Sequence, residues 1–103
     1  MIVIGREDVA RHLDYATCIG LVREAMIALA GGETRQLLRS ILDLEGGDAF
    51  GVMPGAMGDA VGAKLITVYP GNFAKGIPSH QGAILIFDRA SGAPVCVIDA
   101  GEV

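Results

Sequence analysis

The chain has 103 residues, a length that holds one domain with a modest core and excludes two domains. Its formal net charge of −4, without a basic cluster, argues against a nucleic-acid partner. No apolar run approaches the length of a membrane helix, which is about 18 residues, so we expect a cytoplasmic protein with no membrane partner. Hydrophobic residues make up 51% and charged residues 19%, which is apolar for a soluble monomer, so we expect part of the surface to contact a second subunit or a part of the protein outside this sequence.

The first third of the chain is predicted to be a short strand followed by helices. Residues Ile2–Ile4 have a strand pattern, and Arg6–Leu13 a short helical one. Asp14 stands at the N-cap position of a longer helix. The apolar residues of that helix recur with the spacing of one helix face: Cys18, Leu21, Val22, Ala25, Met26 and Leu29. The pair Gly31-Gly32 is expected to end it, because glycine adopts the left-handed conformation without steric cost.

The rest of the chain is predicted to form strands joined by short turns. Five runs have strand-like patterns: Leu37–Leu44, Ala49–Gly55, Val61–Tyr69, Gly82–Asp88 and Ala93–Asp99. Glycines separate the first two runs, and the turn-forming residues Arg89–Gly92 separate the last two, so each pair is expected to form an antiparallel hairpin. The expected fold class is α+β, with a mainly antiparallel sheet and the N-terminal helices packed on one face.

Two absences narrow the chemistry expected of this chain. A dinucleotide-binding unit needs GxGxxG between a strand and a helix, and the sequence has none, so we expect no Rossmann domain within it. Cys18 and Cys96 have neither a CxxC spacing nor a local histidine partner, which favours buried reduced thiols over a disulfide or a metal site.

Lys64 lies in the middle of the apolar run VGAKLITVYPGN. On a strand it shares a face with Gly62 and Ile66. The run has the pattern of a strand buried on both faces, so we expect Lys64 to be buried. A buried ammonium needs a partner, which is how lysines become catalytic or substrate-binding groups. The alternative is a lysine on an edge strand that extends to water.

Arg39, in the run LLRSIL, raises the same question on a second predicted strand. A guanidinium can bind a carboxylate through two parallel hydrogen bonds, and Lys64 nearby adds a second cation. Two cations that converge on one pocket of an acidic domain indicate a small anionic ligand, such as an amino or oxo acid. The alternative is an outward-facing strand residue.

The loop PGNFAKGIPSHQG presents four polar side chains between two strands: Asn72, Ser79, His80 and Gln81. Loops held by a rigid sheet are common places for binding groups. His80 can titrate near neutral pH or donate to a phosphate or carboxamide. An ordinary surface histidine is the alternative.

Five segments occur together in an order and spacing found in one protein family. They are LRSIL around Arg39, VMPGAMG (Val52–Gly58), GAKLITVYPGN (Gly62–Asn72), IPSHQGAILIFD (Ile77–Asp88) and SGAPVCVIDAGEV (Ser91–Val103). Together they resemble the ornithine cyclodeaminase and mu-crystallin family, and the resemblance extends from the first strand to the last residue.

The resemblance implies a role for each candidate residue. Members of the family are homodimeric NAD(P)-dependent enzymes, or relatives of them, with a substrate-binding and dimerisation domain and a separate Rossmann domain; residues 1–103 resemble the first domain, ending before the nucleotide-binding one. Arg39 resembles the arginine that holds the substrate carboxylate. Lys64 resembles the catalytic lysine that contacts the substrate at its reacting carbon and nitrogen. Ser79 and His80 resemble residues that reach NAD or NADP near the nicotinamide, while most of the cofactor site is expected in the other domain.

Two departures from the family pattern bear on the reaction. Cyclodeaminases carry a glutamate two residues before the methionine of the Met-Pro pair, where this chain has Gly51, and Ser79-His80-Gln81 resembles the mu-crystallin and imine-reductase branch more closely. The implied function is an oxidoreductase for an amino or imino acid: a cyclodeaminase-like lyase that converts ornithine to proline with loss of ammonia, or an imine reductase or amino acid dehydrogenase. The alternative is a non-catalytic dimerising module that binds a small ligand, as in mu-crystallin. We expect the isolated domain to be inactive.

Overall fold

The computed structural model describes all 103 residues and contains seven strands, two α-helices and one 3-10 helix. The helices are α1 (Arg6–His12) and α2 (Tyr15–Ala30), and the 3-10 helix is Pro70–Lys75. The strands are β1 (Ile2–Ile4), β2 (Thr34–Gln36), β3 (Ser40–Asp43), β4 (Ala49–Met57), β5 (Ala60–Val68), β6 (His80–Asp88) and β7 (Pro94–Asp99). No helix is both long and apolar enough to span a membrane.

All seven strands belong to one sheet. Its order is β1-β7-β6-β5-β4-β2, and β3 also pairs with β4. β1 runs parallel to β7, whereas every other pair is antiparallel. The three long strands β4, β5 and β6 form the centre. The chain therefore has the predicted α+β fold with a mainly antiparallel sheet.

Local sequence signals set the ends of α2 as predicted. The Asp14 carboxylate accepts a hydrogen bond of 2.7 Å from the backbone N–H of Thr17. This N-cap holds the pKa of the Asp14 carboxyl below its usual value, because the bond favours the charged form. Gly32 has a φ of 72°, a left-handed conformation that glycine permits and that ends the helix after Ala30.

Both predicted hairpins are present. In the turn between β3 and β4, the Leu44 N–H donates to the Asp48 carbonyl at 3.0 Å. In the turn between β6 and β7, the Asp88 carboxylate accepts hydrogen bonds from the Ser91 hydroxyl at 2.6 Å and from the Ser91 N–H at 3.0 Å. These bonds hold the pKa of the Asp88 carboxyl below its usual value. β6 begins at His80, two residues before its predicted start.

The segment predicted as a strand from Leu37 is irregular as far as Ser40. β2 ends opposite Gly55, and β3 begins opposite Val52. Three residues, 37–39, therefore lie opposite two residues of β4, which is the arrangement of a β-bulge. The prediction that Arg39 lies on a strand is wrong, since it lies in this bulge.

The sheet is incompletely covered by the rest of the chain. Only Val9, on the helix that packs against β7, and Gly51 are buried. The accessible surface is 7517 Å², whereas a compact monomer of 10.7 kDa exposes about 5,500 Å². The radius of gyration is 15.1 Å, against about 13 Å for a compact chain of this length. Cys18 and Cys96 are half-buried free thiols, so the expectation that both are buried is wrong.

Candidate functional site

The register of the central strands sorts the candidate residues onto two faces of the sheet. Lys64 lies opposite Met53 on β4 and opposite Ile84 on β6, so these three side chains share a face, which we call the Lys64 face. The next residue, Leu65, points to the other side, which we call the Leu65 face. Helix α2 lies over part of the Lys64 face.

Lys64 is exposed, so the expectation that it is buried is wrong for this chain. Its eight neighbours on the Lys64 face are glycines or apolar residues: Gly51, Gly55, Gly62, Gly82, Met53, Ile66, Ile84 and Ile86. The two ion pairs of the chain, Arg6–Glu102 and Arg11–Asp8, do not involve it. The ammonium therefore stands on an apolar, glycine-rich surface without an acidic partner, where it is available to a ligand.

A groove beside Lys64 separates helix α2 from the sheet. Its volume is about 560 Å³, within the range of small-molecule sites. One side of the groove is formed by three residues of α2: Ala25, Met26 and Leu29. The sheet side carries Lys64 among the apolar residues Met53, Ile84 and Ile86. No carboxylate lines the groove. The groove lies over Gly62 and Ile86, on the side of Lys64 away from His80, and its lining is apolar apart from Lys64 and the residues of β2.

Arg35 on β2 is a cation that the sequence did not single out; it borders the groove, but its register partner Ala56 places its side chain on the Leu65 face. β2 is the polar tripeptide TRQ, which has no apolar alternation to mark it as a strand. The only available signal was its position directly after the glycines that end α2. Arg35 also lines a concavity of about 390 Å³ together with Arg89.

Arg39 lies outside the groove lining and is exposed. If the register of β3 is extended by one residue, the Arg39 backbone lies beside Met53. Met53 in turn lies opposite Lys64. Two strand spacings separate the Arg39 and Lys64 backbones by about 10 Å, a gap that two long side chains can close around a ligand. The structure thus brings the two residues to one row of the sheet, but not into one cavity.

The loop between β5 and β6 is held by two of the polar side chains noted in the sequence. Asn72 Nδ2 donates to the Pro78 carbonyl at 3.2 Å, and Gln81 Nε2 donates to the same carbonyl at 3.4 Å. Across the base of the loop, the Tyr69 N–H donates to the Ser79 carbonyl at 2.7 Å. Asn72 and Gln81 therefore fix the path of the loop.

Ser79 and His80 lie where this loop enters β6. The Ser79 hydroxyl oxygen is 3.1 Å from Nδ1 of His80. His80 is opposite Val68, which places it on the Lys64 face. Val68 is four positions beyond Lys64 on β5, about 13 Å along the strand. At this spacing Lys64 and His80 can contact two molecules that lie side by side on one face.

Known proteins match this chain along almost its whole length. Residues 1–103 match the family model described as the ornithine cyclodeaminase/mu-crystallin family. The chain is 30% identical over 96 residues to Delta(1)-pyrroline-2-carboxylate reductase 2 of Burkholderia ambifaria, covering 93% of this chain and 31% of that protein. It is 35% identical over 107 residues to ketimine reductase mu-crystallin of Rattus norvegicus, covering 97% and 34%.

One solved structure extends the likeness to the fold. Thermococcus litoralis Delta(1)-pyrroline-2-carboxylate reductase, in complex with NADH and L-proline, has a TM-score of 0.93 at 29% identity. The match covers 98% of this chain and 32% of that one. The chain thus spans about a third of the length of the relatives it matches.

Proposed function

Because the chain belongs to the ornithine cyclodeaminase/mu-crystallin family, we propose that residues 1–103 are the substrate-binding and dimerisation domain of an NAD(P)-dependent oxidoreductase for an amino or imino acid. The observation that carries the proposal is Lys64, a cation without an acidic partner on an apolar, glycine-rich sheet face. The reductase names of the Burkholderia and rat relatives support the reaction class. The NADH and L-proline in the Thermococcus structure support the choice of ligands.

Arg39 and Lys64 contact different parts of the substrate in this proposal. The Arg39 guanidinium binds the carboxylate through two parallel hydrogen bonds. Lys64 lies at the carbon–nitrogen bond, where its ammonium supplies a proton to nitrogen as the imine becomes an amine. The reduced nicotinamide supplies the hydride to the carbon when it is bound. Once the Lys64 face is covered by the rest of the protein, the ammonium stabilises developing charge more strongly than it does in water.

Ser79 and His80 fit the edge of a dinucleotide site. The Ser79 hydroxyl and the exposed His80 ring can donate hydrogen bonds to a carboxamide or a phosphate. Residues 1–103 contain no glycine-rich phosphate loop, so these two residues can hold only one end of NAD or NADP. We assign the remainder of the cofactor site to a part of the protein outside this chain.

The Leu65 face is the surface that we assign to a homodimer. Its central residues are apolar, and each keeps part of its surface exposed: Phe50, Val52, Pro54, Val61, Ala63, Leu65, Ala83, Leu85, Phe87 and Val97. An apolar sheet face of this extent is unfavourable in water and favours contact with a second copy. The cytoplasmic location expected from the sequence stays a prediction.

Hydride transfer in the complete protein tests the proposed reaction. With Delta(1)-pyrroline-2-carboxylate and NADH or NADPH, we expect loss of the reduced-nicotinamide absorbance and formation of L-proline in equal amounts. Absence of both, with five- and six-membered cyclic imino acids and with both cofactors, contradicts an imine reductase. Release of ammonia from L-ornithine identifies the cyclodeaminase reaction instead. The alternative of a non-catalytic module predicts saturable binding of the imino acid without turnover.

A further inference from the structure

Gly51 is the one buried residue on the Lys64 face, and two isoleucines cover it. A Cβ atom added at Gly51 would lie 3.1 Å from Ile41 Cδ1 and 3.1 Å from Ile66 Cγ1, which is closer than ordinary van der Waals contact. Ile41 on β3 and Ile66 on β5 flank β4 from opposite sides. Both side chains therefore extend over the glycine, and we call this pair the isoleucine wall.

The isoleucine wall stands beside Lys64 on the side that leads to His80. Ile66 follows Lys64 by two residues on the same strand, about 7 Å away on the same face. His80 is opposite Val68, two residues further along β5. A substrate bound between Lys64 and a nicotinamide at His80 thus lies directly against the wall.

We propose that the isoleucine wall contacts the substrate side chain and restricts the enzyme to imino and amino acids whose side chains are uncharged hydrocarbon, open or cyclic. This inference rests on the proposed function. No sheet neighbour of Lys64 is acidic, so this face offers no carboxylate to a second ammonium on the substrate, and Lys64 repels that ammonium. A substrate side chain that is a methylene chain or ring has no polar group to desolvate at this position, because its contacts are with Ile41 and Ile66.

Two cyclic imino acids that differ by one methylene measure the effect of the wall in the complete protein. The ratio to follow is kcat/KM for Delta(1)-piperideine-2-carboxylate over kcat/KM for Delta(1)-pyrroline-2-carboxylate. Ile66→Ala and Ile41→Ala each remove part of the wall and should raise this ratio about tenfold, the lower end of what one methylene is worth in a hydrophobic pocket. Gly51→Ala adds a methyl group beneath the wall, displaces both isoleucines towards the ligand and should lower the ratio.

Leu42→Ala is the matched control. Leu42 is the next residue of β3, it is 59% exposed against 57% for Ile41, and it points to the Leu65 face. The ratio of the two kcat/KM values in Leu42→Ala should equal that of the wild type. Thermal unfolding establishes that each variant is folded, and Ile66→Val replaces Ile66→Ala if the alanine variant is not. Folded, active Ile41 and Ile66 variants with an unchanged ratio overturn the inference.

The failure of this inference is distinguishable from the failure of the proposed function. If the wild type reduces neither imino acid, the proposed reaction is wrong and the wall has no substrate to select. If the wild type reduces both and the ratio does not move, only the wall is wrong. In the oxidative direction, the wild type should use L-proline at least about tenfold better than L-ornithine. Equal use of the two amino acids also overturns the inference.

Discussion

Replacing Leu65 by aspartate is expected to dissociate the dimer that we propose for this chain. Leu65 lies at the centre of the Leu65 face, opposite Val52 on β4 and Ala83 on β6. In a two-fold dimer formed by this face, the substitution places one carboxylate from each protomer in an apolar interface, where neither has a partner.

The size of this effect follows from the exposed surface. The chain exposes 7517 Å² where about 5,500 Å² suffices for its mass, an excess of about 2,000 Å². If half of that excess is buried in each protomer, the interface totals about 2,000 Å², the lower limit for obligate homodimers. Loss of a buried leucine costs about 2 kcal/mol, and both protomers lose one, so the dissociation constant should rise at least about 10³-fold.

Sedimentation velocity across a wide range of chain concentrations measures this shift. Phe73→Asp is the control, because Phe73 is 83% exposed on the 3-10 helix and does not belong to the sheet. It should leave the dissociation constant near that of the wild type. A wild-type chain that stays monomeric at every concentration refutes the assignment, and so does a Leu65→Asp dimer as stable as the wild-type dimer.

Three further predictions concern the cofactor, the substrate carboxylate and one turn. The isolated chain should show no NAD(P)H binding at micromolar concentration by fluorescence titration, because it lacks a phosphate loop, and a micromolar dissociation constant contradicts this. In the complete protein, Arg39→Ala should raise KM more than it lowers kcat, since contacts with the substrate carboxylate exist before and during the reaction. The control Arg23→Ala should change neither constant. An unchanged KM in Arg39→Ala contradicts the proposal that Arg39 binds the carboxylate. Because its hydrogen bonds with Ser91 lower the pKa of Asp88, these bonds stabilise the fold above the usual carboxyl pKa of 3.8, and the stabilisation is lost as the pH falls below that value. Asp88→Asn should therefore lower the melting temperature at neutral pH but not in strong acid, whereas the control Asp59→Asn should not show this difference. An equal loss of melting temperature at both pH values contradicts the prediction.

Elements fixed by local chemistry were predictable from the sequence. The Asp14 N-cap, the left-handed Gly32 and the Asp88–Ser91 turn each depend on residues within four positions of one another. The hairpins followed from the same kind of signal. β2 and the bulge at 37–39 were not predictable, because both are set by pairing with β4, some twenty residues away in the sequence.

Burial was the part of the candidate site that sequence patterns could not supply. The apolar run around Lys64 indicates a strand whose two faces need cover, but it does not say whether the cover comes from this chain. In the structure α2 covers part of one face, and Lys64 is exposed. The surroundings of Gly51 were also not predictable, since its sequence neighbours give no sign that Ile41 and Ile66 extend over it.

The kinetics of Lys64→Met in the complete protein test the central claim most directly. Methionine matches the apolar stem of lysine as far as Cε and lacks the ammonium, so the sheet should remain folded, as circular dichroism can establish. We predict that kcat falls about 10²-fold or more, the range typical of general acid groups, while Lys75→Met on the exposed 3-10 helix leaves it unchanged. A folded Lys64→Met enzyme with wild-type kcat would show that Lys64 is only an exposed strand residue and would contradict the account.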